Sequence, residues 1–204
     1  MSLRIERLGV RRGGRTILSD VELDVGGGEI LGVVGKNGCG KSTLLLAIAG
    51  VLEPFDGRVE IAGASVWGST RERGKARKAL GYVPEAADPP GFLLGGELWA
   101  MCAAARGVAG PSDDLVARLG LDDVRELRIE RMSLGQRRRT CIAAALLGPP
   151  KLLVLDEPDN GLDAARTIAL AELLLEHKAS GNATVIATHD RALLDKLGAR
   201  VYDM

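Results

Sequence analysis

The stretch Gly35-Lys36-Asn37-Gly38-Cys39-Gly40-Lys41-Ser42, followed by Thr43, sets two glycines four residues apart ahead of a Lys-Ser pair. Each residue type there suits a polyphosphate. Glycines let the backbone curl so that successive N–H groups face one concavity. A helix starting at the end of the loop adds free N–H groups and the positive end of its dipole. Lys41 offers a point charge to the β- and γ-phosphates of a nucleotide. The Ser42 hydroxyl offers a hard oxygen ligand to Mg²⁺. Cys39 reads as a small residue that fits the loop, since nothing beside it in the sequence would activate a thiol.

Further along, Leu152-Leu153-Val154-Leu155-Asp156-Glu157 is an apolar run ending in two carboxylates. Ligands gather at the carboxyl ends of strands in open α/β sheets. Asp156 is suited to hold Mg²⁺, directly or through water. Glu157 would face the γ-phosphate and polarise an attacking water. Met132-Ser133-Leu134-Gly135-Gln136 contains Ser-x-x-Gln, a capping box at a helix start. Such a start is also an anion site, and the two readings are compatible. The chain has two histidines. His189 follows an apolar strand. His177 lies in a polar helical run and reads as solvated.

The elements that would carry these residues follow from hydrophobic periodicity. Leu3–Leu8 and Val21–Val25 alternate apolar and polar residues, as half-buried strands do. Ile30–Val34, Leu152–Leu155 and Ala183–Ala187 are short apolar runs that suit strands buried on both faces. Helical patterns run through Leu44–Ala49 and Ala164–Lys178. From about residue 85 to 148 the chain is rich in Ala, Leu and Arg, broken by Pro89-Pro90-Gly91, Gly110-Pro111 and Gly120. This predicts one α/β domain over 1–204. Residues 1–84 and 149–204 would form the core, and 85–148 a mostly helical insertion.

Composition narrows the function. The 204 residues carry 27 basic and 27 acidic side chains, so no global field draws in nucleic acid. Only 3% are aromatic, too few for a base-stacking platform. No apolar run is long enough to span a membrane, and the N-terminus has no signal-peptide pattern. Three unpaired-looking cysteines fit a reducing cytoplasm. The basic stretch Arg71–Lys78 reads as a solvated helix face. Arg137-Arg138-Arg139 would raise the positive potential near the phosphates.

Taken in order, these segments resemble the ATP-binding cassette (ABC) family. Ser133-Leu134-Gly135-Gln136 is similar to its signature, Pro158–Asp163 to its D-loop, and His189 to its switch histidine. The resemblance implies a P-loop NTPase core of ABC type, with an N-terminal antiparallel β subdomain and an inserted helical subdomain. It implies ATP and Mg²⁺ as ligands. Gly35, Asn37, Gly38, Cys39, Gly40, Lys41, Ser42 and Thr43 would hold the phosphates. Ser133, Gly135 and Gln136 would contact the γ-phosphate bound by a second ABC ATPase subunit, alike or different. Lys41, Glu157 and His189 would carry hydrolysis.

Three residues depart from the family pattern. Glu85 replaces the Q-loop glutamine after Tyr82-Val83-Pro84; a carboxylate still binds Mg²⁺, and this variation resembles cassettes of drug and antibiotic exporters. Leu134 replaces a glycine and is read as pointing away from the partner's nucleotide. Arg12 occupies the place of the aromatic residue that stacks on adenine, and a guanidinium also stacks. The resemblance further implies an integral membrane permease as a separate polypeptide, with this chain peripheral on the cytoplasmic face of the membrane. Motion would pass to it near Glu85 and Leu98-Trp99, although the Leu93, Leu94, Leu98 and Trp99 cluster reads first as core. The short chain and Glu85 lean towards export. A soluble non-transport ATPase, such as an iron–sulfur assembly factor, is the alternative.

Overall fold

The computed structural model describes residues 1–204. Strands β1 (Leu3–Arg12) and β2 (Arg15–Val25) form an antiparallel hairpin through the Gly13-Gly14 turn, where both glycines have positive φ. With β4 (Asp56–Ile61) and β5 (Ala64–Ser65) they make a four-stranded sheet in the order β2-β1-β4-β5.

The second sheet is parallel. Its strands are β3 (Ile30–Val34), β6 (Leu80–Val83), β7 (Leu152–Asp156), β8 (Ala183–Ala187) and β9 (Arg200–Asp203), in the order β6-β7-β8-β3-β9. β3, β7 and β8 are buried at every position, as their unbroken apolar runs require. Their side chains alternate between two cores. Leu31, Val33, Leu152 and Val154 join the core shared with the antiparallel sheet and helix α1 (Lys41–Ile48). Ile30, Val34, Leu153 and Leu155 join the core on the opposite face.

That second core also contains the helices of the insertion. After helix α2 (Thr70–Ala79), the chain forms α3 (Gly95–Arg106), α4 (Asp113–Arg118), a 3-10 turn at Ile129–Arg131 and α5 (Leu134–Ala145). Trp99, Val116, Leu119 and Ile129 pack in the same cluster as Leu153 and Leu155. The insertion therefore has no separate core. Helices α6 (Ala164–Ala179) and α7 (Arg191–Leu197) complete this layer.

For Trp99 the structure favours the core reading over docking, and for His177 the reading changes. Trp99 is 1% exposed and its Nε1–H donates to Thr140 O at 3.0 Å, so it belongs to the core and not to a docking surface. His177 is 5% exposed and not solvated. It follows Leu170 and Leu174 on the buried stripe of α6, which spacing of four and three residues would have revealed. Arg71–Lys78 is a solvated face as expected, with Ala76 the one buried residue of α2.

Candidate nucleotide site

β3 ends at Val34, and residues 35–40 turn back into α1. Gly35 has φ 151° and Gly40 φ 113°, both in the region that favours glycine. A methyl on Gly40 would also approach Ile17 Cγ2 at 3.1 Å and Leu18 Cδ2 at 3.0 Å. Five later helix starts carry side-chain caps: Ser69, Ser112, Ser133, Asp163 and Asp190 cap α2, α4, α5, α6 and α7. α1 has none at Gly40. Its first N–H groups are thus left for an external acceptor. Lys41 Nζ curls over the loop and donates to Gly35 O at 2.9 Å and Lys36 O at 3.4 Å.

The loop forms one wall of a cleft of about 520 Å³. Asn37, Gly38, Gly40, Lys41, Ser42 and Thr43 line it, together with Arg12, Glu85, Asp156, Glu157 and His189. Gly35 and Cys39 border an adjoining hollow that also touches Asn37 and His189. Residues spread from 12 to 189 thus share one site. Register explains the convergence of the carboxylates. Asp156 pairs with Ala187 across β7 and β8, and the Glu157 N–H donates to Ala187 O at 2.8 Å. Glu157 takes a positive φ of 47°, unusual for a residue with a side chain.

Asp156 is 2% exposed, and burial raises its carboxyl pKa above the ordinary value. Nearby Glu85 pushes in the same direction, while Ser42, Lys41 and Arg138 oppose it. Asp156 Oδ1 has no hydrogen-bond partner. A buried, unpartnered carboxylate oxygen beside Ser42 and Glu85 is the donor set of a hard cation such as Mg²⁺. Tyr82, on the neighbouring strand, has its hydroxyl pKa pushed up to about 12 by burial and by Asp156. The Glu157 carboxyl pKa is also raised, first by burial and then by Asp159 and Asp156. His189 counters this: its Nε2 lies 3.3 Å from Glu157 Oε1, and its N–H donates to Oε2 at 3.4 Å.

Ser133, Gly135 and Gln136 are not in the cleft. They form the capping box at the start of α5, with Gln136 N–H donating to Ser133 Oγ at 3.1 Å and Ser133 N–H to Gln136 Oε1 at 3.0 Å. Leu134 is 65% exposed. A methyl on Gly135 would lie 2.8 Å from Gly161 O, so this glycine permits close approach within the chain. Arg12 reaches the cleft, whereas Arg11 turns away and stacks its guanidinium 4.2 Å from the centre of the Phe55 ring.

Sequence reasoning gave several residues no individual role in the cleft. Asn160 and Ile17 line the cleft. Thr188 Oγ1–H donates to Asp159 Oδ1 at 2.7 Å and ties the loop after Glu157 to the loop carrying His189. Arg138 is buried and donates to the carbonyls of Glu157 and Glu85. Its basic run was visible in the sequence, but its direction was not.

The sequence matches the family described as "ABC transporter" over residues 18–160. A "Putative ABC transporter ATP-binding protein" of Streptomyces avermitilis is 40% identical over 203 residues, covering 97% of this chain but 35% of that protein. The "Cobalt import ATP-binding protein CbiO" of Rhodobacter capsulatus is 38% identical over 196 residues, covering 93% of this chain and 70% of that one. The chain thus spans about a third of the first relative and about two thirds of the second. A solved "ATP binding subunit of ABC transporter" superposes with a TM-score of 0.90 at 28% identity, covering 97% and 83% of the two chains. With the phosphate loop, the acidic strand end and the histidine in one cleft, the chain belongs to the ABC transporter family.

Proposed function

We propose that this chain binds and hydrolyses ATP to drive a separate membrane permease, working as one of two cassettes that close on each other. The carrying observation is the convergence of Lys41, Ser42, Glu85, Asp156, Glu157 and His189 on one cleft. Lys41 and the free N–H groups of α1 grip the phosphates. Ser42, Asp156 and Glu85 would hold Mg²⁺, which would supply positive charge to offset that of the phosphates. Glu157 orients the attacking water and accepts its proton, and His189 steadies that carboxylate and donates to the γ-phosphate.

The family resemblance implies a dimer, and the position of Ser133, Gly135 and Gln136 outside their own chain's cleft supports it: a second chain would present its nucleotide to them. ATP then bridges the two chains through charge-assisted hydrogen bonds of about 1.5–3 kcal/mol each. Hydrolysis removes the bridging phosphate and the pair opens.

No helix is long and apolar enough to cross a membrane, so the permease is another polypeptide or another part of a longer one. An apolar groove of about 490 Å³ runs beside the Glu85 segment, between Pro84, Ala87, Leu98, Cys102, Cys141 and Ala144. It supports docking of a permease element there, and it replaces Trp99 as the docking feature. Such docking would hold the chain on the cytoplasmic face of the membrane. The export expected from Glu85 finds no support among the relatives: the cobalt protein's name states import. Direction is therefore assigned to the permease.

The test is the Glu157→Gln variant, studied by size-exclusion chromatography with light scattering. With ATP and Mg²⁺ it should pass from monomer to dimer, while the unsubstituted protein hydrolyses ATP and stays mostly monomeric. A variant that binds ATP yet remains monomeric would sink self-pairing and point to a different cassette as partner.

A further inference from the structure

We infer that Arg138 is a positioning residue for hydrolysis, a strut through which α5 sets the backbone of both Glu85 and Glu157. The inference deepens the ATPase reading and rests on it. Arg138 lies one turn into α5, the helix that begins with the Ser133–Gln136 box. Its side chain runs inward and is 5% exposed. One terminal nitrogen donates to Glu157 O and the other to Glu85 O. The planar fork of a guanidinium can bridge two carbonyls in a fixed geometry, which a lysine cannot. It forms no ion pair with a carboxylate, and its two terminal nitrogens go to these backbone carbonyls, while its charge also acts on Asp156.

Both carbonyls belong to residues whose carboxylates face the cleft. Glu157 is held in its positive-φ conformation by two backbone ties: its N–H to Ala187 O and its C=O to Arg138. Such a conformation persists only where surrounding contacts over-determine it. The Glu85 segment has neither strand nor helix of its own after β6, and Arg138 supplies the side-chain hydrogen bond to its carbonyl. A displacement of α5, whose capped end is exposed for a partner, would therefore move both carboxylates together. Neighbouring Arg137 differs: it points to Asp88 at 3.0 Å, on the surface.

The experiment compares Arg138→Gln and Arg138→Lys with Arg137→Gln in the full chain. Two measurements are made. Hydrogen exchange is followed without nucleotide, and kcat is measured alongside the Kd for ATP. In nucleotide-free Arg138→Gln, peptides over 84–88 and 157–161 should exchange at least about threefold faster while α5 keeps its protection. kcat should fall about tenfold to a hundredfold, as small misplacements of reacting groups do, with the ATP Kd within about threefold of the parent. Arg138→Lys should recover part of kcat, and Arg137→Gln, which loses the surface contact with Asp88, should keep the parent's kcat and its exchange over 157–161. Unchanged exchange in both peptides overturns the inference. So does a loss of protection throughout α5, or a loss of ATP affinity equal to the loss of kcat. If the parent protein does not hydrolyse ATP, the ATPase reading fails, and the exchange data still decide whether Arg138 holds the two segments.

Discussion

Asp156 holds a charge that the fold disfavours. Its carboxyl is buried, its pKa is raised, and one oxygen is unpartnered. Wherever this carboxyl is ionised, the folded chain bears a desolvation cost that the unfolded chain avoids. Removing the charge should therefore stabilise the apo protein: Asp156→Asn should melt about 2–4 °C higher, the shift expected of ~1 kcal/mol in a chain of this size. The same change should abolish Mg²⁺-dependent turnover. A lower melting temperature would mean that Asp156 is compensated in the apo fold. Arg12 lies at the other extreme, exposed at the rim of the cleft. If it stacks on the base, Arg12→Ala should raise the ATP Kd about 2–5-fold, the equivalent of ~0.5–1 kcal/mol for an exposed cation–π contact. Equilibrium titration with a fluorescent ATP analogue would check this. At this scale the phosphate loop was legible because consecutive residues build it. Arg138 was not, since nothing local distinguishes it from Arg137 and Arg139.

Between elements, what matters is which surfaces meet, and sequence carries less of that. The strands β3, β7 and β8 were readable from their apolar runs. Their neighbours were not: β3 lies between β8 and β9, partners some 150 or more residues away in the chain. Helix α5 shows the same limit. Its capping box was readable from Ser133 and Gln136, but its contact with the loop after Glu157 was not. Gly135 lets Gly161 O come close, and an added methyl would lie 2.8 Å from that oxygen. Gly135→Ala should therefore shift either α5 or that loop and cost about 1–3 kcal/mol, as overpacking does. In a Glu157→Gln background it should also weaken ATP-dependent dimerisation, read by light scattering. A variant that melts and dimerises like its parent would show that the loop yields freely.

Over the whole molecule, stability depends on two cores that sandwich the parallel sheet, and one buried titratable group at the edge of the second makes that stability pH-dependent. His177 is at the end of α6, buried against the layer that carries Leu170 and Leu174. Burial is the main cause that lowers its pKa below 6.5, and the charge of Lys151 adds to it; a contact with the Ala183 backbone opposes both. Its Nε2 has no partner to welcome a proton. Above pH 6.5 the imidazole is neutral in both folded and unfolded chains, so it costs nothing. Below 6.5 the unfolded chain takes up a proton that the folded chain refuses, and stability falls by up to ~1.4 kcal/mol per pH unit until the folded pKa is reached. His177→Leu extends the Leu170–Leu174 stripe and removes the titration. Asp156 and Glu157 titrate in both proteins, so the difference between the two isolates His177. Urea melts at pH 7.5, 6.5 and 5.5 should show the stability gap between variant and parent widening in favour of the variant as pH falls. A constant gap would mean that the folded chain accommodates the imidazolium, by opening the end of α6 to water.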